Sequence, residues 1–291
     1  MDVLFENGKY GTRAVLTGMW SEPMKLSLEA KDIKELELND GKGWRGTDVS
    51  FLTSFTQLHR LLILRLPLKS VEAVNKLHEL RELTVFAYDN TEIRFENFPH
   101  LLSCSLEWRP KASSLFDCRS LRNLFINHYR GRDTEPFARL ENLESLAILN
   151  APIRDLHGLH NLKKLRTLRL AGLSQLASLS GIEALTNLEE LDIGTCRALR
   201  SIAEVRSLSA VKRLHLNNCG EIESLAPLKR LHGLEFVSFY ESTKIVDGDL
   251  SPLAENENLG TICFQNRRHY SHRLAGADRR RLEVVKHVPI Q

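Results

Sequence analysis

One spacing dominates this sequence. The template Leu-x-x-Leu-x-Leu, admitting Ile, Val, Phe or Cys at its apolar positions, fits eleven times in succession, starting at Ile33, Leu58, Leu80, Leu101, Leu121, Leu143, Leu165, Leu188, Val211, Leu234 and Leu259. Successive starts lie 25, 22, 21, 20, 22, 22, 23, 23, 23 and 25 residues apart. Length alone would divide 291 residues into two domains at about 150 each. The repeat overrides that division, because a unit of this size cannot bury its own leucines and must stack on its neighbours to make a continuous core.

Within each unit the second and third template positions alternate, as one face of a strand requires. The stretch that follows steps by three, as in Leu176, Leu179, Ile182, Leu185 and Leu188, or Ile222, Leu225, Leu228, Leu231 and Leu234. Steps of three suit 3₁₀ turns and short irregular arcs. A unit of about 22 residues has room for one short strand and one such arc, and none for a long crossover helix. The pattern predicts one curved solenoid with a parallel sheet inside.

Residues 188–196 (LEELDIGTC) and 211–219 (VKRLHLNNC), together with the arc segments 155–159 (DLHGL), 224–228 (SLAPL) and 249–253 (DLSPL), resemble the short, internalin-like class of leucine-rich repeat proteins. The resemblance covers about residues 33–266. It implies an α/β solenoid, a right-handed leucine-rich repeat horseshoe with a concave parallel β-sheet of about eleven strands and 3₁₀ or irregular convex arcs. In that family the position three after the last template leucine is usually Asn or Cys, whose side chain satisfies backbone groups at the turn. Only Cys196 and Cys219 fit; elsewhere the position holds Leu66, Tyr88, Arg109, Tyr129, Ala151, Leu173, Ser242 and Arg267. Regular curvature is therefore expected only between about residues 140 and 240.

A terminal leucine layer would face water, so both ends need caps. Residues 1–32 read as a small N-terminal β cap, with strand-like pieces at 3–5, 13–16 and 25–28 separated by Asn7, Gly8 and Gly18. Residues 33–266 form the solenoid. Residues 267–291 are assigned to a C-terminal cap and basic tail, in which Leu274, Leu282, Val284, Val285 and Val288 fold over the last repeat as a solvated helix. The segment 41–46 (GKGWRG) reads as a flexible loop between the first two units.

With 42% apolar and 26% charged residues the chain can bury a core, which excludes wholesale disorder. No apolar run reaches the length of a membrane span, and residues 1–16 lack the pattern of a secretion signal. A bacterial, cytoplasmic protein is the expectation, or a secreted one if a signal has been removed. Five cysteines, an odd number without any CxxC pair, indicate reduced thiols. Forty basic against 37 acidic residues leave a net charge of +3, too small to drive binding to nucleic acid or anionic lipid across the whole molecule.

Few constellations carry chemistry. The segment GKGWRG lacks the spacing and the Lys-Ser/Thr ending of a phosphate loop. His157 with His160, and His269 with His272, stand three apart, but no third ligand converges on either pair by spacing. Among the cysteines only Cys263, between Ile262 and Phe264, is expected to point outward from its strand. No catalytic residue, metal or cofactor is expected. Arg267, Arg268, His269, His272, Arg273, Arg279, Arg280, Arg281 and Lys286 could form a nucleic-acid footprint. The intervening Asp278 and Glu283, and the lack of a recognised motif, favour a solvated cap.

The inter-template positions carry the strongest functional inference, since strand parity turns them to the concave surface. Aromatic side chains and arginine concentrate in adjacent units at Phe86, Tyr88, Trp108, Phe125, His128, Tyr129 and Arg130, the residue types enriched at interface hot spots. Phe86 and Tyr129, beside irregular arcs, could instead cover the core. A second group of mixed charge holds Arg169, Asp192, His215 and Tyr240, with Glu190, Arg213 and Phe236. The expected function is a non-enzymatic, monomeric module that binds a protein partner on the concave face, as a bacterial immunity or inhibitor protein or as an adaptor. A secreted internalin-like adhesin or effector is the alternative, and nucleic-acid binding through the basic tail is a weaker one.

Overall fold

In a computed structural model the structure describes residues 2–109, 111–274 and 282–284. It divides into two compact units, Met1–Asn127 and His128–Gln291, each taken by itself below. All eleven template segments form strands.

The first unit opens on an antiparallel hairpin of β1 (Val3–Asn7) and β2 (Thr12–Leu16). A helix, α1 (Glu22–Glu29), then returns the chain so that β2 pairs in parallel with β3 (Ile33–Asn39). Residues 25–28 therefore belong to a helix and not to a third strand of a β cap. Their two-residue alternation is accidental: Pro23 starts the helix, and Met24 and Leu28, four apart, share its buried face while Leu26 points to water.

Parallel pairing continues through β4 (Arg60–Leu64), β5 (Glu82–Phe86), β6 (Ser103–Glu107) and β7 (Asn123–Asn127). Register aligns Leu36, Leu61, Leu83, Cys104 and Leu124 in one row and Leu38, Ile63, Val85, Leu106 and Ile126 in the next. Both rows are buried. Turns at Ser50–Ser54, Glu72–Lys76, Phe95–Asn97 and Ser113–Asp117 are 3₁₀, as the steps of three require. The segment 41–46 is pinned, in correction of the flexible loop: Trp44 is fully buried, bridges to Gly18 in parallel fashion, and Phe51 meets its ring edge-on at 6.0 Å.

In the second unit β8 (Ser145–Leu149), β9 (Thr167–Ala171), β10 (Glu190–Gly194), β11 (Arg213–Asn217), β13 (Phe236–Phe239) and β15 (Thr261–Phe264) pair in parallel. A short ladder joins β12 (Glu221–Ile222) to β14 (Lys244–Ile245), and a one-turn helix α2 (Ser251–Ala254) precedes β15. The final pieces, β16 (His272–Leu274) and β17 (Leu282–Val284), pair antiparallel, so these residues form a hairpin where a capping helix was expected. Arg279, Arg280, Arg281 and Lys286 lie outside the described residues.

Regularity begins earlier than the Asn/Cys position suggests. His128, Asn150, Gly172, Thr195, Asn218 and Glu241, each two residues after a last template residue, all hold left-handed φ between 52° and 69°. That conformation aims five of their amides at the end of the next strand: His128 N donates to Leu149 O (2.9 Å), Asn150 N to Ala171 O (2.8 Å), Gly172 N to Gly194 O (2.8 Å), Thr195 N to Asn217 O (2.9 Å) and Asn218 N to Tyr240 O (3.1 Å). The departures at the Asn/Cys position also find a reason. Arg109 in the first unit donates to Ala87 O (3.1 Å), and Arg267 in the second donates to Glu241 O (3.2 Å), the equivalent carbonyl of the preceding repeat in each case. The guanidinium reaches past the carbonyl that the short side chains meet, since Cys196 Sγ and Cys219 Sγ donate to Leu170 O and Ile193 O, two places earlier in the preceding unit. Arg109 is buried and pairs at 2.8 Å with the equally buried side chain of Asp89.

Candidate functional site

The leucine rows occupy one face of each sheet, and the residues between them make the open face. In the first unit that face has two regions. Near β1 to β5 it is an ion network: buried Glu37 accepts from Arg13, from Asn39 (2.8 Å) and from Lys42 (3.2 Å). Glu35 accepts from the Tyr10 amide (2.7 Å) and Arg60 (3.3 Å), while Glu82 accepts from Lys9 (2.5 Å), the Tyr10 hydroxyl (3.0 Å) and Arg60 (3.2 Å). Burial alone would push the Glu37 and Glu82 carboxyls up, but these donors outweigh it and hold both below the usual carboxylate range.

Further along, the face turns apolar. The segment Arg60–Leu64 places Leu62 and Leu64 on the open side as well as Leu61 and Ile63 in the core. Phe86 of β5 and Phe125 of β7 meet above β6 with ring centroids 5.7 Å apart. Ser105, opposite Phe125 in the register, is small enough to leave room for that contact. All four apolar side chains are half-buried. Beyond the strand ends Leu66 and Tyr88 stand exposed, linked by a 2.9 Å bond from the Tyr88 amide to Leu66 O.

Of the predicted aromatic residues the structure thus joins Phe86 to Phe125, with Tyr88 on the chain just beyond Phe86. Trp108 takes another direction and packs on Phe116 at 5.7 Å, toward the arc. Parity explains this, since Trp108 follows Glu107 and returns to the leucine side. Tyr129, in the second unit, is buried edge-on against Phe137 at 5.3 Å and belongs to the core, which corrects its place in a surface group. His128 and Arg130 on either side of it are exposed. Leu62, Leu64 and Leu66 are functional candidates not singled out from sequence. Their signal was present in residues 60–66 (RLLILRL), where a strand is apolar on both faces.

The second unit's open face carries cross-strand ion pairs, Arg169 with Asp192 (3.2 Å) and Arg213 with Glu190 (2.7 Å). His215 stacks on Phe236 at 4.8 Å and shares a 3.0 Å bond with Ser238. Tyr240 joins the same network through its amide, which donates to the Asn217 side chain at 3.1 Å. Asp192, His215 and Ser238 stand side by side in register, the residue types of a hydrolase triad. Here the Asp192 carboxylate is engaged by Arg169 and Ser238 is buried, so the row presents no accessible nucleophile. Cys263, next in the row, lies on the open face as its parity requires, yet its side chain is buried as well.

With this geometry in place, comparison with known proteins adds a class. Residues 116–253 match the family model of the leucine-rich repeat domain of the endo-β-N-acetylglucosaminidase EndoS. Among solved structures the chain is similar to an internalin, InlF, from Listeria monocytogenes, at 25% identity and a TM-score of 0.66, over 81% of this chain and 68% of that one. Internalin C2 of the same species aligns at 20% identity and a TM-score of 0.51, over 65% of this chain and 83% of that one. A leucine-rich repeat protein of Leptospira interrogans aligns at 18% identity and a TM-score of 0.50, over 87% of this chain and 78% of that one. No curated protein sequence matches the chain. The chain is a leucine-rich repeat protein, a solenoid of stacked strand-and-arc units. Its repeat is internalin-like, and a fold of that kind implies a protein-interaction module.

Proposed function

We propose that this chain is a non-enzymatic binding module that holds a protein partner on the concave face of its repeat sheet, acting as a cytoplasmic inhibitor, such as an immunity protein, or as an adaptor. The observation that carries the reading is the apolar patch of the first unit, where Phe86 and Phe125 make ring contact and Leu62 and Leu64 lie half-buried on a sheet face that is otherwise polar and ion-paired. Contiguous apolar surface of this kind on a folded protein marks an interaction site. The ion network at one end of the patch has its charges already paired, so it frames the patch and contributes register rather than attraction. Arg169, Asp192, His215 and Tyr240 form a second, polar contact region on the other unit.

The test is capture of the partner from the source organism by the immobilised chain. Phe86→Ala and Phe125→Ala are compared with the arc variants Lys76→Ala and Lys229→Ala. Truncating an anchor costs about 2 kcal/mol or more of binding, so the first pair should lose the captured protein while all four melt near the parent. Equal capture by all four would remove the concave patch from the interface. A second reading, an exported internalin-like adhesin or effector, draws support from the likeness to InlF. Fractionation of the source cells separates the two, since the first reading requires the protein in the cytosolic fraction.

A further inference from the structure

The hairpin that opens the first unit leaves one sheet edge uncovered. Gly8 N donates to Gly11 O and Thr17 N to Asp2 O, both at 2.9 Å, and the register pairs Val3 with Leu16. Bonded and non-bonded pairs alternate along an antiparallel ladder. Leu4 and Glu6 therefore turn their backbone groups toward β2, whereas Val3, Phe5 and Asn7 turn theirs outward. Among the described residues no strand pairs with β1 on that side.

Protein edges of this kind are normally blunted by charged side chains, proline or a bulge. Strand β1 has neither proline nor a bulge and a single charge, Glu6, and it exposes Leu4 (48%) and Phe5 (39%), with Lys31 Nζ 5.9 Å from the Phe5 ring centroid. Met19 and Leu26, from the same end of the sequence, are exposed too.

We propose that a second copy of this chain docks on the outer edge of β1, antiparallel about a two-fold axis, with Phe5 opposite Phe5 of the other copy. Charge selects the register, and the self-complementarity of that register points to a second copy. With Phe5 opposite Phe5, Val3 faces Asn7, Leu4 faces Glu6, and no like charges stand opposite each other along the ladder. A shift one way sets Asp2 against Glu6 of the other copy, and a shift the other way sets Glu6 against Glu6. Both shifts place like charges opposite each other, which disfavours them. The allowed register is self-complementary, as an isologous dimer requires, and it puts two aromatic side chains directly across the new ladder. Glu6 lies 3.5 Å from Arg13, so its charge is countered within its own copy. This pairing replaces the monomer expected from sequence. It uses a surface separate from the concave patch and stands independently of it.

The test is the mass of the full chain by size exclusion with light scattering, from low to high micromolar concentration. The parent should reach twice its monomer mass. Phe5→Lys and Phe5→Glu should each stay monomeric at the parent's melting temperature, and mixing the two should restore the dimer, because residue 5 faces its own copy. Should either charged variant unfold, Phe5→Cys serves instead. Opposed bonded residues sit with Cα atoms about 5.5 Å apart, within disulfide reach, so mild oxidation should link two chains while the five native thiols stay buried. A parent that is monomeric throughout, a dimer that survives both charged variants, a mixture of folded variants that does not reassociate, or no linked species from Phe5→Cys would each overturn the proposal.

Discussion

Phe86 and Phe125 make ring contact at 5.7 Å although a whole strand, β6, runs between the strands that carry them. Strands two apart are separated by about 9.6 Å, twice the spacing of neighbours, so the rings must lean across β6 to reach each other. The pair thus lies on the open face of the sheet instead of filling a core. Its side chains remain half-exposed, which is the state of a surface ready to be covered.

The repeat core predicts the cost of a template leucine. Leu191 is fully buried, with Leu168 and Leu214 beside it in register. Leu191→Ala should destabilise by about 2 to 5 kcal/mol, read from urea unfolding. A loss below about 1 kcal/mol would mean that the neighbouring units collapse around the hole or that stacking there is loose.

The Arg109–Asp89 pair predicts an asymmetry. Removing one partner of a buried pair typically costs about 3 to 5 kcal/mol because the other charge is left uncompensated. Arg109→Met should therefore be less stable than the double variant Asp89→Val with Arg109→Met. If the double variant is the less stable of the two, the bond that Asp89 accepts from the Thr91 amide (2.9 Å) outweighs the charge balance.

The left-handed turns predict a gain. Thr195 is β-branched and sits at φ 56°, a conformation that costs a residue with a Cβ roughly 1 to 2 kcal/mol. Glycine occupies the equivalent place at Gly172. Thr195→Gly should raise stability by up to about 1 kcal/mol, seen as an increase in melting temperature. A decrease would show that the Thr195 hydroxyl, 3.3 Å from the Asn218 side-chain amide, contributes more than the strain removes.

The buried thiols predict alkaline sensitivity. Burial pushes Cys118 and Cys196 up to about 12 and Cys219 up to about 11, and it raises Cys104 further. A group whose folded pKa is raised contributes stability that is fully present below its unfolded pKa and is lost as pH rises toward the folded one. Stability should hold near pH 7 and fall between about pH 9 and 11, by on the order of 1 kcal/mol per buried thiol at pH 10. On the acid side the lowered Glu37 and Glu82 act in the opposite sense, so stability is lost as pH falls below the usual carboxylate range. Urea midpoints at pH 3, 7 and 10 check both limbs, and a midpoint unchanged at pH 10 would contradict the first.

The strands were legible in the sequence because a leucine at a template position has one role, and every template segment became a strand. What escaped the sequence were residues with two possible roles. Lys25 to Leu28 alternate like a strand, but Pro23 and the four-residue step from Met24 to Leu28 decide for a helix. Trp44 sits in a glycine-rich segment that reads as a loop, yet so large an apolar side chain is stabilised by burial even from a turn. Arg109 looks like a departure from the repeat until its long side chain is seen bonding the Ala87 carbonyl and pairing with buried Asp89. In the candidate site, parity sets Phe86 and Phe125 on the open face and turns Trp108, one past Glu107, to the leucine side, whereas Tyr129 follows the left-handed residue His128, where strand alternation has ended.

The central claim is that a protein partner rests on the open face of the first unit, and site-specific photo-crosslinking tests it most directly. A photoreactive residue replaces Thr84, in the middle of the apolar floor, or Lys229, on an arc, and the chain is irradiated in a lysate of the source organism. The account predicts one crosslinked protein from position 84, lost when Phe125→Ala is added, and none of it from position 229. Crosslinks to that protein from position 229 alone, or equally from both, would contradict it.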